Sequence, residues 1–465
     1  MRGNSHVRFL EGKAPVRGLT YSTYFLFPQI YNFRYNIYSS EWPVANRAIE
    51  LYLQKKSENE GWERQINGLS NNEKANLLLE KHTFKELLAD VEQRNLQNNI
   101  VGLEASRLFA RSEINMGVDA FRDSLYAMLK RNTFLNIKFE NMLDTLGEMS
   151  RTDLYSYLKE WEQLTPLPFY SIGEPELTKV VNKGGEEFFV LKVLVSNNSD
   201  YDGIIQMNVL QNGWWYQPME DPRARKKVEI AAHTSKEFVS VWEEQIRDVE
   251  INTMVSGNLP YMIRQSIGNV KQERNKIVKD TIYTLPESSL EMPGEVIVDN
   301  EDSTLFVLST PAVVGLLPKW LDKVEDTSFK YSGISWWRAP LQWTATTNAK
   351  YYGKYIRSAY VIKSGDGSQT ATWKIPVPEA GQYELYYHVF KDDELRWNDR
   401  LQGEYHFRVA YDSEMEDAYI NLRKANEGWE QLGTYYFSAD TVRVMLTDEC
   451  KLRSVTADAV KIVKR

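Results

Sequence analysis

In residues 294–465 apolar side chains alternate in short runs separated by Gly, Pro and Asp turns. Eight segments read this way: Glu295–Asp299, Thr370–Lys374, Gln382–Phe390, Tyr405–Tyr411, Ala418–Leu422, Gln431–Phe437, Thr441–Leu446 and Ala457–Val463. Side chains alternate across a sheet, so Tyr383, Leu385, Tyr387 and Val389 share one face of a strand, as do Val442, Val444 and Leu446. That many short strands joined by turns specify a β-sandwich or jelly roll.

Upstream the period changes. Residues 43–161 read as helical: Pro43 suits a first turn, and Val44, Ala48, Leu51 and Leu53 follow near helical spacing. Ser70-Asn71-Asn72-Glu73 has the form of a capping box before a leucine-rich run through Leu88 and Val91. Val118, Phe121, Leu125, Met128 and Leu129 mark one apolar face, and Ser150–Asp153 opens a further helix ending near Trp161. Thr165-Pro166-Leu167-Pro168 stops the helices.

Beyond it, Glu187–Val195 and Ile204–Leu210 flank the turn residues Asn197–Gly203 and read as a hairpin, with further strands at Val228–Ala232, Glu237–Trp242 and Val249–Val255. Residues 264–290 are polar and read as a linker or solvated loop. The expectation is a multidomain α+β chain: a mainly helical region at 1–165, a small antiparallel β-sandwich with linker at 166–290, and a jelly-roll-like β-sandwich at 291–465. A length of 465 residues suits about three domains.

Composition narrows the function. The net charge is −8, and residues 331–465 hold 18 basic and 18 acidic side chains, so the excess acid lies before residue 331. That balance argues against a nucleic-acid partner. No apolar run is long enough to span a bilayer, and the first residues lack the apolar core of a secretory signal. Either the protein is cytoplasmic or the chain is a piece of a longer exported one. Cys450 is the single cysteine and stands beside Asp448 and Glu449, a poor setting for a thiolate.

Chemistry-bearing motifs are absent. The five histidines, at 6, 82, 233, 388 and 406, form no H-E-x-x-H pair, and no G-x-S-x-G, P-loop or G-x-G-x-x-G is present. No catalytic residue, metal ligand or cofactor is assigned. Asp299-Asn300-Glu301-Asp302 is oxygen-rich but lacks the spacing of a calcium loop and reads as a strand-end turn. Asp392-Asp393-Glu394 and Glu414-Met415-Glu416-Asp417 read as solvated loops, although two carboxylates for glycoside cleavage can converge from anywhere in a fold.

The aromatic residues are more informative. Residues 331–465 hold 22 of the 58 Phe, Trp and Tyr. Trp336, Trp337 and Trp343 share one short segment and Tyr352 follows in Tyr351-Tyr352-Gly353. Flat rings of this kind stack on the apolar face of a pyranose; equally, a sandwich needs large rings in its core. Trp397 sits in the polar stretch Glu394–Arg400, where nothing local calls for an apolar ring. These five are the candidate ligand-binding residues.

The C-terminal third resembles golvesin C-terminal-like domains, also described as similar to the carbohydrate-binding-like domain of xanthan lyase. The resemblance rests on Ile297–Asp302, Tyr351-Tyr352-Gly353, Ala371–Pro376, Pro378–Tyr386, Gly428–Phe437 and Ala457–Lys461, with Thr304–Thr327 as an apparent insertion. It implies a sandwich that binds polysaccharide or a cell-surface glycan, in a periplasmic, cell-surface or extracellular setting.

Met116–Arg122, the helix from Asp153 to Trp161 and Ser256–Pro260 more loosely resemble the part of aminopeptidase-N-like zinc metallopeptidases that follows the metal site. The zinc motif of that family is not in this chain. The resemblance therefore implies a peptidase-derived scaffold without peptidase activity.

Three functions follow as expectations. The first is a non-catalytic accessory region of an exported bacterial protein with a polysaccharide-binding domain. The second is a spacer or interaction module that docks on an upstream metallopeptidase half. The third is a polysaccharide lyase or hydrolase.

Overall fold

The computed structural model describes residues 35–54, 60–210, 221–274, 278–287, 294–309, 329–334, 338–391 and 403–465. The described residues form two compact units, the first from the parts of 35–58, 71–257 and 261–288 and the second from the parts of 59–70, 258–260 and 289–465 that they cover. The architecture is mixed α and β with several sheets.

The first unit contains helices α1 (Ala45–Leu53), α3 (Asn71–Leu79), α4 (Phe84–Ala89), α5 (Gln97–Met116), α6 (Val118–Arg131), α7 (Phe139–Ser150) and α8 (Leu154–Lys159); α2 (Glu60–Asn67) belongs to the second. Helix α5 is the hub: Ile100, Val101, Ala105, Leu108 and Phe109 are buried, and it packs on α1, α3, α6 and α7. On α6 the expected stripe is present, with Phe121, Leu125 and Leu129 buried. Asp153 caps α8 by accepting from Ser156 N at 3.1 Å. The leucine-rich run is two helices, not one. It breaks before Thr83, which starts α4 with a capping box: Thr83 Oγ1 accepts from Glu86 N, and Glu86 Oε2 accepts from Thr83 N at 2.8 Å.

The same unit carries a sandwich. Its sheets are β11–β4–β5–β8–β12, with β3 also on β5, and β10–β9–β6–β7. The strands are β3 (Tyr170–Ile172), β4 (Glu176–Val181), β5 (Glu187–Asn197), β6 (Gly203–Leu210), β7 (Arg225–Ile230), β8 (Thr234–Trp242), β9 (Asp248–Asn252), β10 (Met262–Ser266), β11 (Val270–Arg274) and β12 (Thr281–Pro286). Short β1 (Asn36–Tyr38) and β2 (Asn136–Lys138) pair in parallel beside the helices.

Two expectations are corrected here. Strands β5 and β6 form no hairpin: β5 pairs with β3, β4 and β8, whereas β6 pairs with β7 and β9. The segment between them crosses from one sheet to the other because both strands bury apolar side chains in the shared core, Leu191, Val193 and Val195 from one side and Ile205, Met207 and Val209 from the other. Asn197 fixes the crossing by donating to Tyr201 O at 2.7 Å and Ile230 O at 3.0 Å. Residues 264–290 are not wholly loop, for they supply β11 and β12, the two edge strands of the larger sheet. Backbone pairing holds an edge strand, and each of these places only one side chain, Val270 and Ile282, against the core, too little to mark an alternation.

The second unit is built on strands β13 (Glu295–Val298), β14 (Phe306–Leu308), β15 (Thr344–Thr347), β16 (Ser358–Lys363), β17 (Thr370–Pro376), β18 (Gly381–Val389), β19 (Glu404–Tyr411), β20 (Glu414–Asn421), β21 (Gly428–Phe437), β22 (Thr441–Thr447), β23 (Ser454–Ala457) and β24 (Val460–Lys464). They form sheets β13–β24–β18–β21, β14–β17–β22–β19–β20 and β15–β16–β23. The first two share one core of Trp373, Tyr383, Leu385, Tyr387, Phe407, Phe437, Val444 and Ile462.

The alternation expected in β18 and β22 is therefore the core face. Phe306–Leu308, within the stretch expected to be an insertion, is a strand of this sandwich paired with β17, and residues 310–327 lie outside the described residues. The segment Ala457–Val463, expected as one strand, is two: the chain leaves the three-stranded sheet at Ala457 and enters the four-stranded one at Val460.

Candidate functional site

The break between β23 and β24 builds the site. It turns Asp458 inward, where the residue is wholly buried. Its two carboxylate oxygens accept from Tyr352 N at 3.2 Å each, and Oδ2 lies 2.8 Å from His388 Nδ1. Its carbonyl accepts from Trp373 Nε1 at 3.2 Å. Burial raises the Asp458 carboxyl above the usual carboxylate range, and His388 and the Tyr352 amide oppose the shift. Nearby Asp299 is raised further, by burial and by the charge of Asp458.

The loop bearing Tyr352 is held by its neighbours. Tyr351 is buried with its ring 4.8 Å from that of Phe390. At Gly353 a Cβ would stand 1.9 Å from Ile356 O, so only glycine lets the backbone fold back there. Tyr352 consequently meets Trp429 at 5.0 Å between ring centroids and His388 at 5.8 Å, and His388 meets Trp429 at 5.2 Å.

This triad lies at one end of the outer face of β13–β24–β18–β21. His388 stands opposite Trp429 in the register, and Tyr386 is opposite both Lys461 and Gln431. Lys461 Nζ is 4.9 Å from the Trp429 ring centre and 5.4 Å from that of Tyr386, and donates to Glu295 Oε1 at 2.8 Å. Tyr386 OH donates to Glu384 Oε2 at 2.6 Å, and Arg465 Nε donates to the other oxygen at 2.9 Å. Half-buried rings ringed by paired donors and acceptors suit a hydroxylated, partly apolar ligand.

Of the five candidate residues, Tyr352 stands in this triad. Trp343 is half-buried against the core of the second sandwich. Trp336, Trp337 and Trp397 lie outside the described residues. Trp429, His388 and Tyr386 were not singled out by the sequence, although the alternation that buries Tyr387 and Val389 already turns Tyr386 and His388 outward. The Asp299–Asp302 stretch is a turn, with Asp302 N donating to Asp299 O at 3.1 Å and Asp299 N to Asp302 Oδ2 at 2.9 Å. No group of three or more metal-ligating side chains occurs among the described residues.

The first unit has a cleft of about 430 Å³ lined by Arg107, Arg111, Tyr157, Glu160, Asp200 and Asp202 among others. Its arginines are engaged: Arg107 binds Glu160 at 3.0 Å, and Arg111 binds Glu229 at 2.5 Å.

No curated protein matches this chain. Among solved structures it is similar to the CBM35 of Cellvibrio japonicus Abf62, at 12% identity over 24% of this chain and 75% of that one, with a TM-score of 0.17. It is also similar to a Bacteroides uniformis beta-glucuronidase, at 12% identity over 68% of this chain but only 32% of that one, with a TM-score of 0.18. Residues 337–464, which contain the triad, match the model of the Golvesin C-terminal domain, and the C-terminal part of this chain is golvesin-like.

Proposed function

We propose that the chain is a non-catalytic accessory region of an exported bacterial protein, and that its golvesin-like part binds polysaccharide on the surface of Tyr352, His388 and Trp429. The observation that carries the reading is the Tyr352–Trp429 pair, two half-buried rings 5.0 Å apart, with the Tyr352 backbone held by a buried carboxylate. Preorganised rings spend little conformational entropy when a flat sugar face docks on them. Polar groups at the rim, the Lys461–Glu295 pair and Tyr386, are placed for hydroxyl groups.

The non-catalytic part of the reading is supported by the site's own chemistry. Asp458 is sealed under Tyr352 and is no acid for a bound glycan, and burial pushes the Cys450 thiol up, away from a reactive thiolate. No helix among the described residues is long and apolar enough to cross a membrane. On this reading the helical layer and first sandwich are a scaffold of metallopeptidase descent that carries the binding domain.

Affinity electrophoresis of the full chain tests the proposal, using gels that contain mixed-linkage β-glucan, xyloglucan, xylan, galactomannan, xanthan or polygalacturonate. Retardation by at least one polymer is expected. Unretarded migration in every gel overturns it.

A further inference from the structure

The outer face of the four-stranded sheet extends well beyond the triad, and its far end carries another exposed ring. Tyr436 is 58% exposed. In the register of β18 with β21, Gln382 pairs with Tyr436, Glu384 with Thr434, Tyr386 with Gln431 and His388 with Trp429. The six steps from Gln382 to His388 span about 20 Å at the rise of an extended strand.

Trp429 and Tyr436 are an odd number of residues apart, so in an unbroken strand they would face opposite ways. The register shifts between Leu385 and Tyr386, placing an extra residue in β21. Leu432 packs against the core at that point. The shift reverses the parity, so that Trp429 and Gln431 join Thr434 and Tyr436 on the outer face. Between the two rings the exposed side chains are polar and uncharged on β21: Gln431 Nε2 donates to Thr434 Oγ1 at 3.1 Å. The cations of the strip have their own carboxylates, Lys461 with Glu295 and Arg465 with Glu384.

We infer that this strip is an extended binding platform for the interior of a neutral polysaccharide chain, with Trp429 and Tyr352 as one station and Tyr436 as a second. The inference rests on the proposed function and adds the ligand class and the direction along which the chain lies. A face of about 20 Å with rings at both ends is longer than one sugar residue, and among the described residues no side chain of β18 or β21 between the rings is larger than Tyr386. Its paired cations leave no charge for a polyuronate to neutralise.

The test uses the full chain, its Tyr436→Ala and Trp429→Ala variants, and neutral oligosaccharides from the disaccharide to the hexasaccharide. These are prepared from whichever neutral polymer retards the chain most and titrated calorimetrically. Affinity is expected to rise with length up to at least the tetrasaccharide. Tyr436→Ala should lose about tenfold in affinity for the hexasaccharide, equivalent to about 1.4 kcal/mol, and little for the disaccharide. Trp429→Ala should weaken both.

Affinity that stops rising at the disaccharide, or a Tyr436→Ala variant that binds the hexasaccharide as tightly as the parent, overturns the platform while leaving the proposed function intact. Retardation by xanthan or polygalacturonate alone overturns the neutral class. No retardation by any polymer overturns both readings together.

Discussion

His388 Nδ1 lies 2.8 Å from Asp458 Oδ2, and the same buried carboxylate accepts the Tyr352 amide, so one acid holds both an imidazole on β18 and the loop that carries a ring of the triad. Replacing Asp458 with alanine strands the Tyr352 N–H and loosens the imidazole. The expected loss is about 1–3 kcal/mol, the range for a buried polar group left without its partner. Urea denaturation measures the stability, and glycan retardation should fall in the same variant. Full retardation with unchanged stability would show that Asp458 positions neither group.

In the first unit, Glu113 and Lys227 form an ion pair whose side chains are 0% and 7% exposed, and Tyr52 OH donates to Glu113 at 2.8 Å. Removing one member of such a pair leaves the other charge buried and unpaired. Glu113→Ala is therefore expected to cost about 3–5 kcal/mol, whereas Glu113→Leu combined with Lys227→Met should recover part of that loss, the Tyr52 hydroxyl still lacking its acceptor. A double-mutant cycle followed by denaturant unfolding checks it, and additive losses would contradict the pairing.

His233 sits in a turn with φ of 52° between two carboxylates, Asp200 and Glu287, each 2.8 Å from a ring nitrogen. Those hydrogen bonds raise its pKa above the ordinary 6.5. Its contribution to stability is fully present on the acid side of 6.5 and is lost as pH rises through the higher folded value. Thermal melts of the parent and of His233→Asn, chosen because asparagine tolerates positive φ, should differ most in acid and converge in alkali. A difference that grows with rising pH would contradict the clamp.

The core of the golvesin-like sandwich was legible in the sequence because alternation acts there without interference. Tyr383, Leu385, Tyr387 and Val389 are buried as their spacing requires. The site was less legible for a specific reason. Trp429 reaches the outer face only through the irregularity at Leu432, and nothing in an apolar pattern announces an extra residue in a strand. Strand β11 is hard to read because Val-Lys-Gln-Glu-Arg shows no alternation, whereas β12 is a short apolar run, Thr-Ile-Tyr-Thr-Leu-Pro, inside a charged stretch; the β5–β6 crossing resembles a hairpin because turn residues do not say which sheet receives the next strand. Tyr352 was visible as an aromatic in a turn, but its meeting with Trp429 depends on Asp458, remote in sequence.

On the proposed function, Tyr352 and Trp429 contact the glycan directly. Affinity electrophoresis of the full chain beside Trp429→Ala, in the gel that retards the parent most, tests it most directly, with thermal melting as the control for folding. The variant is expected to keep its melting temperature and to lose the retardation. A variant that is folded and retarded as strongly as the parent would contradict it.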